Sequence, residues 1–172
     1  MRFLLLPFAI LYGLGVRLRH FLYDRGWLSS KRYPFPILCV GNLAVGGTGK
    51  TPMVEYLVRL LGQEQVAILS RGYRRKTRGF VLADDSATAM TLGDEPYQYH
   101  RKFPRATVAV CENRQEGIER LLENPHFKYI ILDDAFQHRK VQAGTNLLLT
   151  SYDKLYTQDF LLPVGSLRDI RS

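Results

Sequence analysis

Gly41-Asn42-Leu43-Ala44-Val45-Gly46-Gly47-Thr48-Gly49-Lys50-Thr51 decides how this chain is read. An apolar run at residues 36–40 precedes it and reads as a buried strand. After it, Met53, Val54, Leu57, Leu60 and Leu61 recur at helical spacing across residues 51–61. Strand, glycine-rich turn, Lys-Thr and helix form the layout of a phosphate-binding loop. Glycines let backbone N–H groups converge on a triphosphate, and the helix start adds free amides and the positive end of its dipole. The spacing places Lys50 on the β- and γ-phosphate oxygens and the Thr51 hydroxyl on a Mg²⁺. Pro52 suits a first helical turn, where its missing N–H costs nothing. The usual pattern has glycine at position 44, where this chain has Ala44; Gly46, Gly47 and Gly49 offset that loss. A plain glycine-rich connector is the simpler alternative, but the context on both sides favours a nucleotide.

The other strands follow from similar apolar runs at residues 65–69, 107–111, 129–132 and 146–150, with a short strand or hairpin at 79–82. The first of these ends in Ser70-Arg71-Gly72-Tyr73. In an open α/β sheet ligands collect beyond the carboxyl ends of strands, which puts Arg71 near the nucleotide or the acceptor. Residues 84–91 read as a loose polar loop. Gly93-Asp94-Glu95-Pro96 opens a helix over 95–103. Its carboxylates read either as a cap, with Asp94 at the N-cap, or as a base for a hydroxyl acceptor or a metal contact. A helix from Arg114 buries Ile118, Leu121 and Leu122. The run at 129–132 ends in Asp133-Asp134. An apolar strand closed by aspartate is the metal-side partner of a phosphate loop, since its carboxylate meets the ion held by Thr51. Gln137 and His138 follow close by; a single histidine there reads as a structural hydrogen-bonder and not as the base.

Composition sets the limits. The chain has 172 residues and 46% hydrophobic content, enough for one well-cored α/β domain. Cys39 and Cys111 make no metal motif and read as buried reduced thiols. The net charge is +8, unevenly placed. Residues 1–32 carry Arg2, Arg17, Arg19, Arg25, Lys31 and Arg32 against Asp24; residues 71–78 carry Arg71, Arg74, Arg75, Lys76 and Arg78 with no acid. Two basic clusters point to an anionic surface or substrate. The apolar stretch at 3–16 is short of the roughly 20 residues that span a bilayer, and no small-x-small cleavage site follows it. With its basic flank it reads as an anchor in the cytosolic face of a membrane, against the alternative of a helix packed on its own domain.

Taken together and in order, Val40 to Pro52, Ser70-Arg-Gly-Tyr73, Gly93-Asp-Glu-Pro96, Asn113-Arg114, Asp133-Asp-Ala-Phe-Gln-His138 and Leu161-Leu-Pro-Val-Gly-Ser-Leu-Arg168 resemble the tetraacyldisaccharide 4'-kinase family, the lipid A 4'-kinases. The family commonly has Gly where Ala135 stands. The resemblance implies an α/β, P-loop NTPase-like fold: a mainly parallel sheet flanked by helices, preceded by an apolar N-terminal helix. Residues 1–32 would be the membrane-associating helix and 33–172 the kinase core. Family members are about twice as long, so this chain reads as an N-terminal fragment or truncated copy, without the C-terminal domain whose histidine supports the catalytic aspartate.

The implied activity is transfer of the ATP γ-phosphoryl to the 4'-hydroxyl of tetraacyldisaccharide 1-phosphate, at the cytosolic face of a Gram-negative inner membrane. ATP, an acylated disaccharide phosphate lipid and the membrane surface are the implied partners, with no nucleic acid. Ala44, Val45, Gly46, Gly47, Thr48, Gly49, Lys50 and Thr51 would cradle ATP. Asp94 would be the base near the sugar hydroxyl, with Lys50 as the other catalytic group. Thr51, Glu95, Asp133 and Asp134 would manage Mg²⁺ and water, and Arg71, Arg114 and Arg168 would contact phosphate or substrate. Two rivals remain: another phosphate-loop ATPase, and a binding-only, catalytically incomplete fragment. Partitioning-type ATPases carry a signature lysine where this chain has Val45.

Overall fold

A computed structural model of the chain describes residues 2–170. A short 3₁₀ turn leads into helix α1 (Leu6–Asp24), followed by strand β1 (Lys31–Arg32), strand β2 (Ile37–Asn42) and helix α2 (Lys50–Leu61). Next come β3 (Val66–Ser70), β4 (Val81–Leu82), α3 (Ala89–Leu92), α4 (Asp94–Lys102) and β5 (Thr107–Val110). The chain continues through α5 (Arg114–Leu122), β6 (Tyr129–Asp133), β7 (Val141–Gln142) and β8 (Thr145–Leu149). Among the described residues the main sheet has the order β4-β5-β3-β6-β2-β8, and only β4 runs antiparallel. β1 and β7 form a small parallel pair beside it.

The sheet is covered on both faces, which is why its inner strands read as unbroken apolar runs and do not alternate. Side chains still alternate between faces at period two. Cys39, Leu69, Ile130 and Leu132 point to a cluster with Ile118 and Leu121 of α5. Val40, Ile68 and Ile131 point to the opposite cluster, with Val54 and Val58 of α2 and Tyr99 of α4. At Gly41 a Cβ would come within 2.6 Å of Phe136 Cβ and 3.0 Å of the Phe136 backbone N. Only glycine lets the chain leaving β6 pass so close to β2.

Several expectations need correction. Residues 84–91 are not wholly loose: a capping box at Thr88 and Thr91 starts α3, because the two hydroxyls satisfy each other's backbone N–H groups. The run at 146–150 is not a buried strand. β8 sits at the sheet edge with Thr145 and Asn146 exposed. α4 starts one residue early, with Gly93 at its N-cap, so Asp94 is not the cap but the first helical residue.

Helix α1 is both packed and exposed. His20 Nε2 lies 2.7 Å from Asp169 Oδ1, Tyr12 donates to the Arg168 carbonyl at 2.8 Å, and Arg19 donates to the Gln137 carbonyl at 2.6 Å. Arg139 Nη2 donates to Asp24 at 2.6 Å. The outward face leaves Phe8, Leu11, Leu14 and Leu18 largely in solvent. Among the described residues no helix is long and apolar enough to cross a membrane.

Candidate active site

The site is built where β2 and β6 end side by side. Their register sets Asp133 opposite Val40, so the aspartate pair at the end of β6 meets the loop that leaves β2. Gly49 caps α2 at φ +82°, a left-handed conformation that glycine adopts without strain. The turn therefore passes straight from loop to helix, and the free N–H groups at the start of α2 stay available for an anion.

Asn42, fully buried at the end of β2, organises the loop. Its amide nitrogen donates to Thr48 Oγ1 at 2.9 Å and to the Gly46 carbonyl at 3.4 Å. Its own carbonyl accepts from Gln137 Nε2 at 2.6 Å, and its side-chain oxygen accepts from Arg168 Nη2 at 2.7 Å. The same Arg168 group pairs with Asp134 Oδ1, which also lies 3.9 Å from Lys50 Nζ. Arg168 reaches the site because the segment before it pairs with the loop. Val45 N donates to the Ser166 carbonyl at 2.8 Å, and Arg168 N donates to the Leu43 carbonyl at 2.8 Å.

A cavity of about 700 Å³ opens over these groups. Ala44, Val45, Gly46 and Lys50 line one side, with Asp133, Asp134 and Arg168 next to them. Arg71, Asp94 and Glu95 come from the opposite side, with His138 and Gln137. Gly47 and Thr48 face a neighbouring hollow of about 200 Å³. Thr51, the second residue of α2, is half-buried and does not line this cavity. Arg114 does not line the cavity. It is buried beneath it, donating to the Cys111 carbonyl at 2.5 Å and the Asp133 carbonyl at 3.3 Å. A larger cavity of about 850 Å³ lies under α1, lined by His20, Arg139 and Asp169. It contains no residue of the phosphate loop.

Burial dominates the electrostatics. Desolvation, then the charges of Glu95 and Asp134, push the Asp133 carboxyl up to about 7; Arg114 and the Ser70 hydroxyl pull the other way. Burial, then the cations Arg114, Arg71 and Arg19, push His138 down to about 4, so it stays neutral at pH 7. Burial also raises both thiols, Cys39 to about 12. Both are free and buried, as their positions in apolar runs suggested.

The donors near the loop are a hydroxyl and carboxylates, the hard oxygen ligands a small divalent cation takes. Among the described residues no three His, Cys, Asp or Glu side chains form a ready-made metal cage. Sequence reading missed Asn42, Ser70 and Tyr99 as parts of the site. The first two had a signal, a polar residue closing an apolar strand; Tyr99 had none, because Asp133, which its hydroxyl meets, is distant in sequence.

A glycine loop of this kind, between a central parallel strand and its helix and with aspartate on the next strand, defines a phosphate-loop nucleotide-binding domain. The particular family is clear. The tetraacyldisaccharide-1-P 4'-kinase family model matches residues 1–172, and the chain belongs to that family. It is 57% identical over 170 residues to the tetraacyldisaccharide 4'-kinase of Flavobacterium psychrophilum, covering 98% of this chain and 50% of that one. It is 57% identical over 174 residues to the same enzyme of Flavobacterium johnsoniae, covering 100% and 51%. Among solved structures it matches the "apo" form of LpxK from Aquifex aeolicus in complex with ATP, with TM-score 0.89 and 42% identity, over 98% of this chain and 54% of that one. The chain spans about half the length of the curated relatives it matches.

Proposed function

We propose that this chain is the nucleotide-binding part of a kinase that moves the γ-phosphoryl of ATP to the 4'-hydroxyl of tetraacyldisaccharide 1-phosphate, in lipid A synthesis. One observation carries the reading. Lys50 of the phosphate loop, the Asp133-Asp134 pair and the Asp94-Glu95 pair line a single cavity, from three separate elements.

The loop amides and Lys50 hold the triphosphate, and Arg168 sits where it can neutralise charge on the transferred group. Asp94, exposed at the start of α4, takes the proton of the sugar hydroxyl. The hydroxyl oxygen then bonds to the γ-phosphorus as the bond to the ADP oxygen breaks. Such a reaction depends on positioning and charge neutralisation more than on covalent chemistry. Thr51, Glu95, Asp133 and Asp134 are the groups that would hold Mg²⁺, which would offset the phosphate charge. The outward apolar face of α1 and its basic flank meet the cytosolic face of the inner membrane, where an acylated acceptor resides.

The test is transfer of labelled γ-phosphate from Mg-ATP to tetraacyldisaccharide 1-phosphate in detergent, beside a Lys50→Ala control. Label in the lipid that is lost in Lys50→Ala supports the reading. ATP binding without transfer favours a binding-only reading. Absence of ATP binding sinks both.

A further inference from the structure

Tyr99 is fully buried between α4, α2 and the sheet, among Val54, Val58, Ile68 and Ile131. Phenylalanine would fill that apolar space as well, and a buried hydroxyl is costly unless paired. The Tyr99 hydroxyl is paired with a site residue: it donates its one proton to Asp133 Oδ2 at 3.5 Å. A second donor meets the same carboxylate. Ser70 Oγ donates to the same Oδ2 at 3.3 Å, and Oδ1 takes no hydrogen bond among the described residues.

We propose that Tyr99 is a positioning residue for the nucleotide's cation: with Ser70 it holds Asp133 by Oδ2, which leaves Oδ1 as the oxygen that would meet Mg²⁺. This rests on the kinase reading above. Groups that orient metal ligands change metal affinity by roughly 10- to 100-fold when removed. Tyr99 also lies on the helix whose first turn carries Asp94 and Glu95. The hydroxyl therefore links two parts of the site: the aspartate strand and the helix of the proposed base.

The experiment is a Mg²⁺ titration of fluorescent ATP-analogue binding, in the parent chain and in Tyr99→Phe, with thermal unfolding of each. Tyr99→Phe is expected to raise the Mg²⁺ concentration for half-maximal strengthening of binding by roughly tenfold. Metal-free analogue affinity and the unfolding midpoint stay at the parent values. In an Asp133→Asn background, adding Tyr99→Phe changes the Mg²⁺ requirement less than it does alone, because the two groups act as one unit. An unchanged Mg²⁺ requirement overturns the proposal, as do full additivity with Asp133→Asn and a fall in the unfolding midpoint alone, which would make Tyr99 a packing residue. A parent chain that binds no nucleotide overturns the kinase reading, and this proposal with it.

Discussion

Lys50 carries a positive charge at the start of a helix, where the dipole already favours an anion. Its nearest described counter-charge is Asp134 at 3.9 Å, too long for a close pair, so the ammonium is available for phosphate. Charged hydrogen bonds contribute about 1.5–3 kcal/mol, or roughly 10- to 100-fold in affinity. Lys50→Ala is therefore expected to weaken ATP binding by that factor, measured by titration with a fluorescent analogue. Unchanged binding would remove Lys50 from the site. Asp94 plays a different part. It is exposed and sits in the first turn of α4, while Gly93 takes the cap. Asp94→Asn should cut turnover by roughly 10²–10⁴, the usual contribution of a positioned base, with ATP affinity nearly intact. Should it unfold the domain instead, its service to the helix dipole outweighs its chemistry.

The segment from Asp159 to Arg168 shows how an irregular element is held. Leu167 N donates to the Phe160 carbonyl at 3.0 Å and Leu162 N to the Leu167 carbonyl at 2.9 Å, which closes the segment on itself. The Asp159 carboxylate accepts from Ser166 N at 3.1 Å, Phe160 N at 2.9 Å and the Lys154 ammonium at 3.0 Å, and also from the Ser166 hydroxyl. Burial alone would raise this carboxyl, but those donors, Ser166 and Lys154 foremost, hold it at about 2. A carboxyl depressed in the fold stabilises it above the unfolded value near 4, and that stability is lost as pH falls towards 2. Asp159→Asn should unfold at a lower temperature than the parent at pH 7, by roughly 2–4 °C for each kcal/mol lost. The gap between the two should close as pH is lowered from about 4 to about 2. A constant gap over that range would show that the charge has no part. The variant should also weaken ATP binding, since this segment delivers Arg168 to Asn42 and Asp134.

At the scale of the whole molecule, α1 joins two surfaces. Its inner side is tied to the end of the described chain through His20–Asp169 and Tyr12–Arg168, so it is no free tail. Its outer side exposes Phe8 at 61% and Leu11 at 66%, more than a soluble surface helix needs for packing. If that side meets lipid, each side chain contributes about 1.5–3 kcal/mol on burial. Phe8→Ser together with Leu11→Ser should lower binding to anionic vesicles at least tenfold in a sedimentation assay, and leave ATP binding unchanged. Vesicle binding that survives both changes would assign this face to something other than a membrane.

Sequence by itself determined the strand–loop–helix unit around Lys50, the five parallel strands to within a residue or two, and the aspartates at the end of β6. These are local patterns: a strand buried on both faces must be a run of apolar residues, and a phosphate loop must concentrate glycine beside Lys-Thr. The basic residues were visible too, but their roles were not. Arg114 and Arg168 look alike in sequence. One lies buried under the sheet end holding carbonyls, and the other reaches the cavity because residues 166 and 168 pair with residues 45 and 43. Tyr99 reads as one more core aromatic until β6 brings Asp133 to its hydroxyl. The edge position of β8 likewise depends on which strand lies beside β2. Only tertiary structure decides such matters, because they are set by contacts between segments far apart in the chain, and no local spacing encodes them.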